Sequence, residues 1–184
     1  MRVLLISPNT LTVPYPVYPI GLDYVAGSIP ARHEVRIADC NVLSHDELEA
    51  LLAEYQPEVI GISCRNIDNT EAGDPLCFIN RYKELVSWLR SRTQAILVCG
   101  GSGFNIMPEK ILPDLGVDYG LVGEGERFGL LVEALEKQED PERDPRRFDG
   151  LFLLIWHPYR EGRSLGRSAQ SYLPAGGRPL SLLS

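Results

Sequence analysis

The sequence predicts a doubly wound α/β domain, a parallel sheet with helices on both faces, and three observations carry that prediction. Short β-branched apolar runs alternate with longer amphipathic segments. The runs are apolar along their whole length, as expected of strands covered on both faces. Several are followed at once by small, polar or glycine residues, the chemistry found where a parallel strand ends at a ligand-facing edge.

The elements follow in order. Val3 to Ser7 forms the first strand; Pro8 and a Pro/Tyr-rich loop, TLTVPYPVYPIG, separate it from a helix running from about Gly21 to Ile29. Glu34 to Ala38 is the second strand. The next helix, Asp46 to Tyr55, is announced by Ser44 with Glu47 three positions on, the capping-box spacing in which each side chain takes the other's backbone N–H. Val59 to Cys64 is the third strand, followed by a helix from about Phe78 to Arg92, and Ala95 to Cys99 is the fourth. A short helix opens on Pro108, where a missing N–H leaves no bond unmade. Tyr119 to Val122 is the fifth strand and Glu126 to Lys137 the last helix. This strict alternation, without internal repeats, implies a three-layer, flavodoxin-like, five-stranded parallel sheet of order 2-1-3-4-5.

The chain has 184 residues, 44% hydrophobic and 23% charged, enough apolar material for one buried core. Its charge is uneven: residues 1–150 hold 14 basic and 24 acidic side chains, whereas residues 151–184 hold four arginines and one glutamate. The stretch QEDPERDPRRFD, from Gln138 to Asp149, is almost all charged or proline and reads as a linker. The expected organisation is therefore an ordered domain over residues 1–140 and a linker with a poorly structured tail over 141–184. A net charge of −7 argues against a nucleic-acid partner, and no apolar run is long enough to span a bilayer. Cys40, Cys64, Cys77 and Cys99 form no C-x-x-C pair; the three that end apolar runs, Cys40, Cys64 and Cys99, read as small buried thiols of a cytoplasmic protein.

In a doubly wound sheet a ligand sits at the carboxyl ends of the strands. The residues there are Ser7-Pro8-Asn9, Asp39-Cys40-Asn41, Ser63-Cys64-Arg65-Asn66, Gly100-Gly101-Ser102-Gly103 and Gly123-Glu124-Gly125-Glu126. Two glycine-rich turns on adjacent strands, beside a serine on a third, point to a bulky ligand approached closely by backbone N–H groups. A single such turn would need no ligand. The chain has no Gly-Lys dipeptide for a Walker A loop, and no G-x-G-x-x-G after the first strand for a dinucleotide. The acidic and basic strand ends of a phospho-receiver and the first-strand phosphate loop of a flavodoxin are missing too. Histidines 33, 45 and 157 lie away from Ser63, Cys64 and Cys99 and read as surface residues, so nucleophilic catalysis has little support. Glu124 and Glu126 form a carboxylate pair, which helix-dipole capping explains as well as acid-base chemistry does.

Assembled this way, residues 1–140 resemble the N-terminal cobalamin-binding domain of cobalamin-dependent radical S-adenosylmethionine enzymes. The resemblance rests on RVLLISPN, on PIGLDYVAG at the end of the Pro/Tyr loop, and on VIGISCRN, ILVCGGSGFN and VDYGLVGEGE. It implies a corrinoid on the carboxyl edge with its nucleotide tail among the strand-end loops. Ser63 would bond in the tail region beside Cys64 and Arg65, Gly100, Gly101 and Gly103 would admit the tail, and Gly123, Glu124 and Gly125 would line the far wall. The loop from Asn9 through Tyr15, Pro19 and Ile20 to Gly21 would face the corrin ring, and Ser7 and Pro8 before it would belong to the same cofactor site. That loop lacks the D-x-H-x-x-G histidine of other cobalamin domains, so the corrinoid is expected without a histidine ligand. The family's C-x-x-x-C-x-x-C is absent as well. The 4Fe-4S cluster and S-adenosylmethionine are therefore expected only on a missing domain or a separate catalytic subunit, and the chain is expected to be a truncated product or a stand-alone module, not catalytic alone. Two alternatives remain: a non-catalytic protein-interaction module that lost the corrinoid, and a flavin in the same cleft.

Overall fold

Strand order in the sheet is β2-β1-β3-β4-β5-β6, with β1 to β5 parallel and β6 antiparallel to β5. The computed structural model describes residues 1–12, 14–67 and 78–139, together with the backbone of strand 152–155. The strands are β1 (Arg2–Ser7), β2 (Glu34–Asp39), β3 (Val59–Ser63), β4 (Ile96–Gly100), β5 (Tyr119–Val122) and β6 (Phe152–Ile155). The helices are α1 (Ile20–Ser28), α2 (His45–Tyr55), α3 (Phe78–Arg90), α4 (Pro108–Leu115) and α5 (Phe128–Glu136). The five parallel strands and their order are those expected from the alternation of patterns. β6 is an addition: the sequence pattern assigns 152–155 to the tail. Cys77 and His157 lie outside the described residues.

Alternation along the strands divides the core in two. Leu4, Ile6, Ile60, Ile62, Leu97 and Cys99 pack on the side of α2, α3 and α4, while Val3, Leu5, Val59, Val98 and Leu121 pack on the side of α1 and α5. The Ser44–Glu47 capping box forms in both directions at the start of α2. Glycines set how closely the layers meet. A Cβ on Gly129 of α5 would run into the Ser28 carbonyl oxygen, and one on Gly61 of β3 would lie 2.8 Å from Leu5 Cδ2.

His33 is buried at the amino edge of the sheet, which corrects its reading as a surface histidine. Its Nδ1 lies 3.1 Å from the Met1 amine, and its Nε2 has no hydrogen-bond partner among the described residues. Burial, and next the charge of the Met1 amine, hold its pKa below the usual 6.5; the Glu136 carboxylate, 3.7 Å from Nε2, offsets this only in part. The folded state thus binds this proton less readily than the unfolded chain. Its contribution to stability is complete above about pH 6.5 and is lost as the pH falls toward the lowered folded value. The melting temperature is expected to drop across that window, and His33→Gln to flatten the slope; an unchanged slope in the variant would refute the assignment.

Candidate functional site

The register of the sheet puts three small residues in one row. Ile6 pairs with Ile62, so Ser7 stands level with Ser63, and Ser63 pairs directly with Gly100. By strand alternation the row falls on the α1/α5 side, above the layer of Val3, Leu5, Val59 and Val98. At the carboxyl edge of β1, β3 and β4 this layer therefore ends in two serines and a glycine.

The loop after β1 is tied at its base and open beyond. Asn9 Oδ1 accepts the Leu11 N–H at 3.2 Å, and the Arg81 guanidinium donates to Thr10 Oγ1 at 3.0 Å. Further along, the side chains turn outward: Tyr15, Tyr18 and Ile20 are 67%, 63% and 62% exposed. Tyr18 bonds the Asp23 carboxylate, which raises its pKa above 10.0. Pro19 precedes α1 and its carbonyl accepts the Leu22 N–H. Gly21 is exposed in the first turn, and a Cβ there would have no atom of the described residues within 4 Å. Val42 after β2, and Ile106 and Met107 after β4, are exposed at the same end. Apolar groups gathered at one end of a domain signal a covered surface.

The loops after β3 and β4 are laced together by backbone bonds. The Cys64 N–H donates to Gly100 O at 2.7 Å, and Cys64 O accepts from Gly103 and Phe104 at 2.9 and 3.1 Å. Ser102 Oγ donates to Arg65 O at 3.1 Å, and buried Tyr82 donates to Asn66 O at 2.9 Å. Burial pushes the Tyr82 hydroxyl up to about 12.

This lacing revises several sequence expectations. Gly103 is used inside the protein: its Cβ would stand 2.8 Å from Arg65 O and 2.9 Å from Cys64 O. Gly101, at φ +103°, faces Cys64 O at 3.0 Å in the same way. Their small size is explained by loop packing, without a ligand. The Gly123 N–H, expected to be free, donates to Asn105 Oδ1 at 3.1 Å. Gly125 packs on α1, with Val25 Cγ2 2.9 Å from a Cβ position, and Glu124 stays exposed beside it. The Cys64 thiol is 1% exposed within the α2/α3/α4 core, so only its backbone belongs to the edge; Arg65 beside it is exposed. Cys99 is buried with it, and burial holds its thiol well above 9.0, consistent with an inert packing role.

The structure thus brings Ser7, Ser63 and Gly100 together as a row, flanks it with the open loop carrying Tyr15, Pro19, Ile20 and Gly21, and walls it with the loops of Gly101 and Gly123. Sequence patterns do not reveal Asn105 or Tyr82, because their partners lie 18 and 16 residues away and only the fold joins them. Among the described residues no cluster of metal-ligating side chains occurs, and no helix is long and apolar enough to cross a membrane.

Comparison with known proteins identifies the family. A family model for the B12 binding domain matches residues 6–131. The tryptophan 2-C-methyltransferase of Streptomyces laurentii is 32% identical over 147 residues, 77% of this chain and 24% of that protein. The cytidylyl-2-hydroxyethylphosphonate methyltransferase of Streptomyces wedmorensis is 27% identical over 154 residues, 71% of this chain and 27% of that protein. The radical S-adenosylmethionine methyltransferase TsrM of Kitasatospora setae, solved with cobalamin and a 4Fe-4S cluster, superposes with a TM-score of 0.67 at 30% identity, over 76% of this chain and 25% of TsrM. OxsB, solved with aqua-cobalamin and S-adenosylmethionine, shares the fold at a TM-score of 0.61 and 16% identity, over 76% of this chain and 19% of OxsB. The chain spans about a quarter of the length of the curated relatives it matches. With the family model covering most of its length, the chain belongs to the B12-binding domain family and is related to the TsrM-like methyltransferases.

Proposed function

We propose that this domain holds a corrinoid across the carboxyl edge of its sheet, as the cobalamin-carrying part of a radical S-adenosylmethionine methyltransferase. The observation that carries the proposal is the level row Ser7–Ser63–Gly100, which leaves the end of the α1/α5 layer without a bulky side chain beneath a rim of exposed apolar groups. That arrangement fits a large ligand with a flat apolar body and a narrower polar arm. Bound methylcobalamin would supply a transferable methyl group on cobalt. In this reading Ser63 bonds the nucleotide arm, the loops of Gly101 and Gly123 confine it, and Tyr15 and Ile20 cover the ring face and keep water from it.

Neither described histidine is assigned to cobalt. The loop after β1 contains none, His33 is at the opposite edge, and His45 lies against the Trp88 ring with 4.6 Å between centroids. Iron-sulfur chemistry and S-adenosylmethionine are assigned to another domain or a separate subunit, and the location to the cytoplasm.

Titrating the purified protein with hydroxocobalamin should yield a co-eluting corrinoid spectrum; none at tens of micromolar, with intact circular dichroism, would overturn the proposal. Gly21→Phe supplies the sharper test. A Cβ there meets no atom of the described residues, and phenylalanine is favoured over glycine in a helix by a few tenths of a kcal/mol. Binding should be lost while the melting temperature holds or rises. Gly101 and Gly125 cannot serve this purpose, because bulk at either strains the protein itself.

A further inference from the structure

Asn105 lies in the turn after β4, is exposed, and reaches across to the loop after β5. Its Oδ1 accepts the Gly123 N–H at 3.1 Å, and its Nδ2 donates to Gly123 O at 3.4 Å. One side chain thus satisfies both backbone groups of a residue whose φ is +95°. Among the described residues no atom lies within 4 Å of a Cβ position at Gly123, so glycine is required there by conformation and not by crowding. The bracket itself is mounted rigidly: the Asn105 N–H donates to Gly101 O at 3.1 Å, and the neighbouring Phe104 is fully buried.

We propose that Asn105 is a positioning residue for the nucleotide arm of the corrinoid, holding the Gly123–Gly125 loop at a fixed distance from the Gly100–Gly103 loop. The inference rests on the corrinoid reading of this edge. Exposed hydrogen bonds contribute little to folding, but a loop ordered before binding spares the ligand the cost of ordering it. Without the bracket that cost falls on the affinity for any corrinoid whose arm passes between the two loops. A corrinoid lacking the arm would not bear it.

The test compares wild type, Asn105→Ala and Gly123→Ala for binding of hydroxocobalamin and of cobinamide, which keeps the ring and lacks the nucleotide. Both variants should bind hydroxocobalamin about tenfold more weakly and cobinamide within about twofold of wild type; Asn105→Ala should leave the guanidinium midpoint unchanged, whereas Gly123→Ala, strained at φ +95°, should lower it. Gly123→Ala attacks the bracket from its other side, so the two variants check each other. If wild type binds only hydroxocobalamin, a tenfold loss in Asn105→Ala at an unchanged midpoint still supports the inference. Wild-type affinity in Asn105→Ala, or a loss shared equally by both corrinoids, overturns it and leaves the corrinoid reading standing. Wild-type protein that binds neither corrinoid overturns that reading, and this inference with it.

Discussion

Phe104→Ala is expected to lower stability by about 3–5 kcal/mol, the cost of emptying a large buried site that cannot fully collapse. Phe104 is 0% exposed within the α2/α3/α4 core, and its ring stands on β5 where Gly120 leaves room for it; a Cβ at Gly120 would meet the ring. Its backbone N–H donates to Cys64 O, so the ring also pins the turn that carries Gly101, Gly103 and Asn105. The variant should lose hydroxocobalamin affinity along with its guanidinium midpoint. Gly120→Ala provides the coupling check: damaging in the wild type, it should be milder once the ring is gone. Equal damage in both backgrounds would show that the two positions do not share this contact.

Gly129→Val should destabilise by more than about 3 kcal/mol, because the added carbon meets the backbone of Ser28 and Ile29, which has no rotamer to yield. Gly129→Ala is the more discriminating variant. Helix propensity alone would favour alanine by about 1 kcal/mol. The Ser28 carbonyl oxygen opposes it, and relieving that clash means moving α1 away from α5, with loss of packing among Leu22, Ile29, Leu131 and Val132. The expected sign is therefore destabilising, read as a lower melting temperature. An unchanged or raised value would mean that the two helices are less closely fitted than their contacts imply.

The five parallel strands and their order were legible in the sequence because burial on both faces writes itself as continuous apolar runs, and because parallel strands need helical crossovers of recognisable length. The capping box before α2 was legible for a similar reason, since its two partners are three residues apart. β6 was not. Its four residues follow a charged stretch, and as an edge strand it is defined chiefly by its ladder with β5, a partner more than 25 residues earlier in the chain.

The candidate site was legible as a set of strand ends and only partly in detail. Strand ends can be counted from the sequence, so the edge carrying Ser7, Ser63, Gly100 and Gly123 could be named. What each glycine does there could not, because glycine is chosen for conformation, for ligand approach and for packing alike, and these leave the same letter in the chain. Distances separate them: Gly103 is small for Arg65, Gly125 for Val25, Gly123 for its φ, and Gly21 for nothing within the described protein. By itself, then, the sequence determined the parallel sheet, its order and which residues stand at its carboxyl edge, since periodicity and local spacing are properties of the chain. The tertiary structure alone decided which small residues stand in a row, which loops are locked together and that Asn105 grips Gly123, since those depend on atoms brought close from distant parts of it.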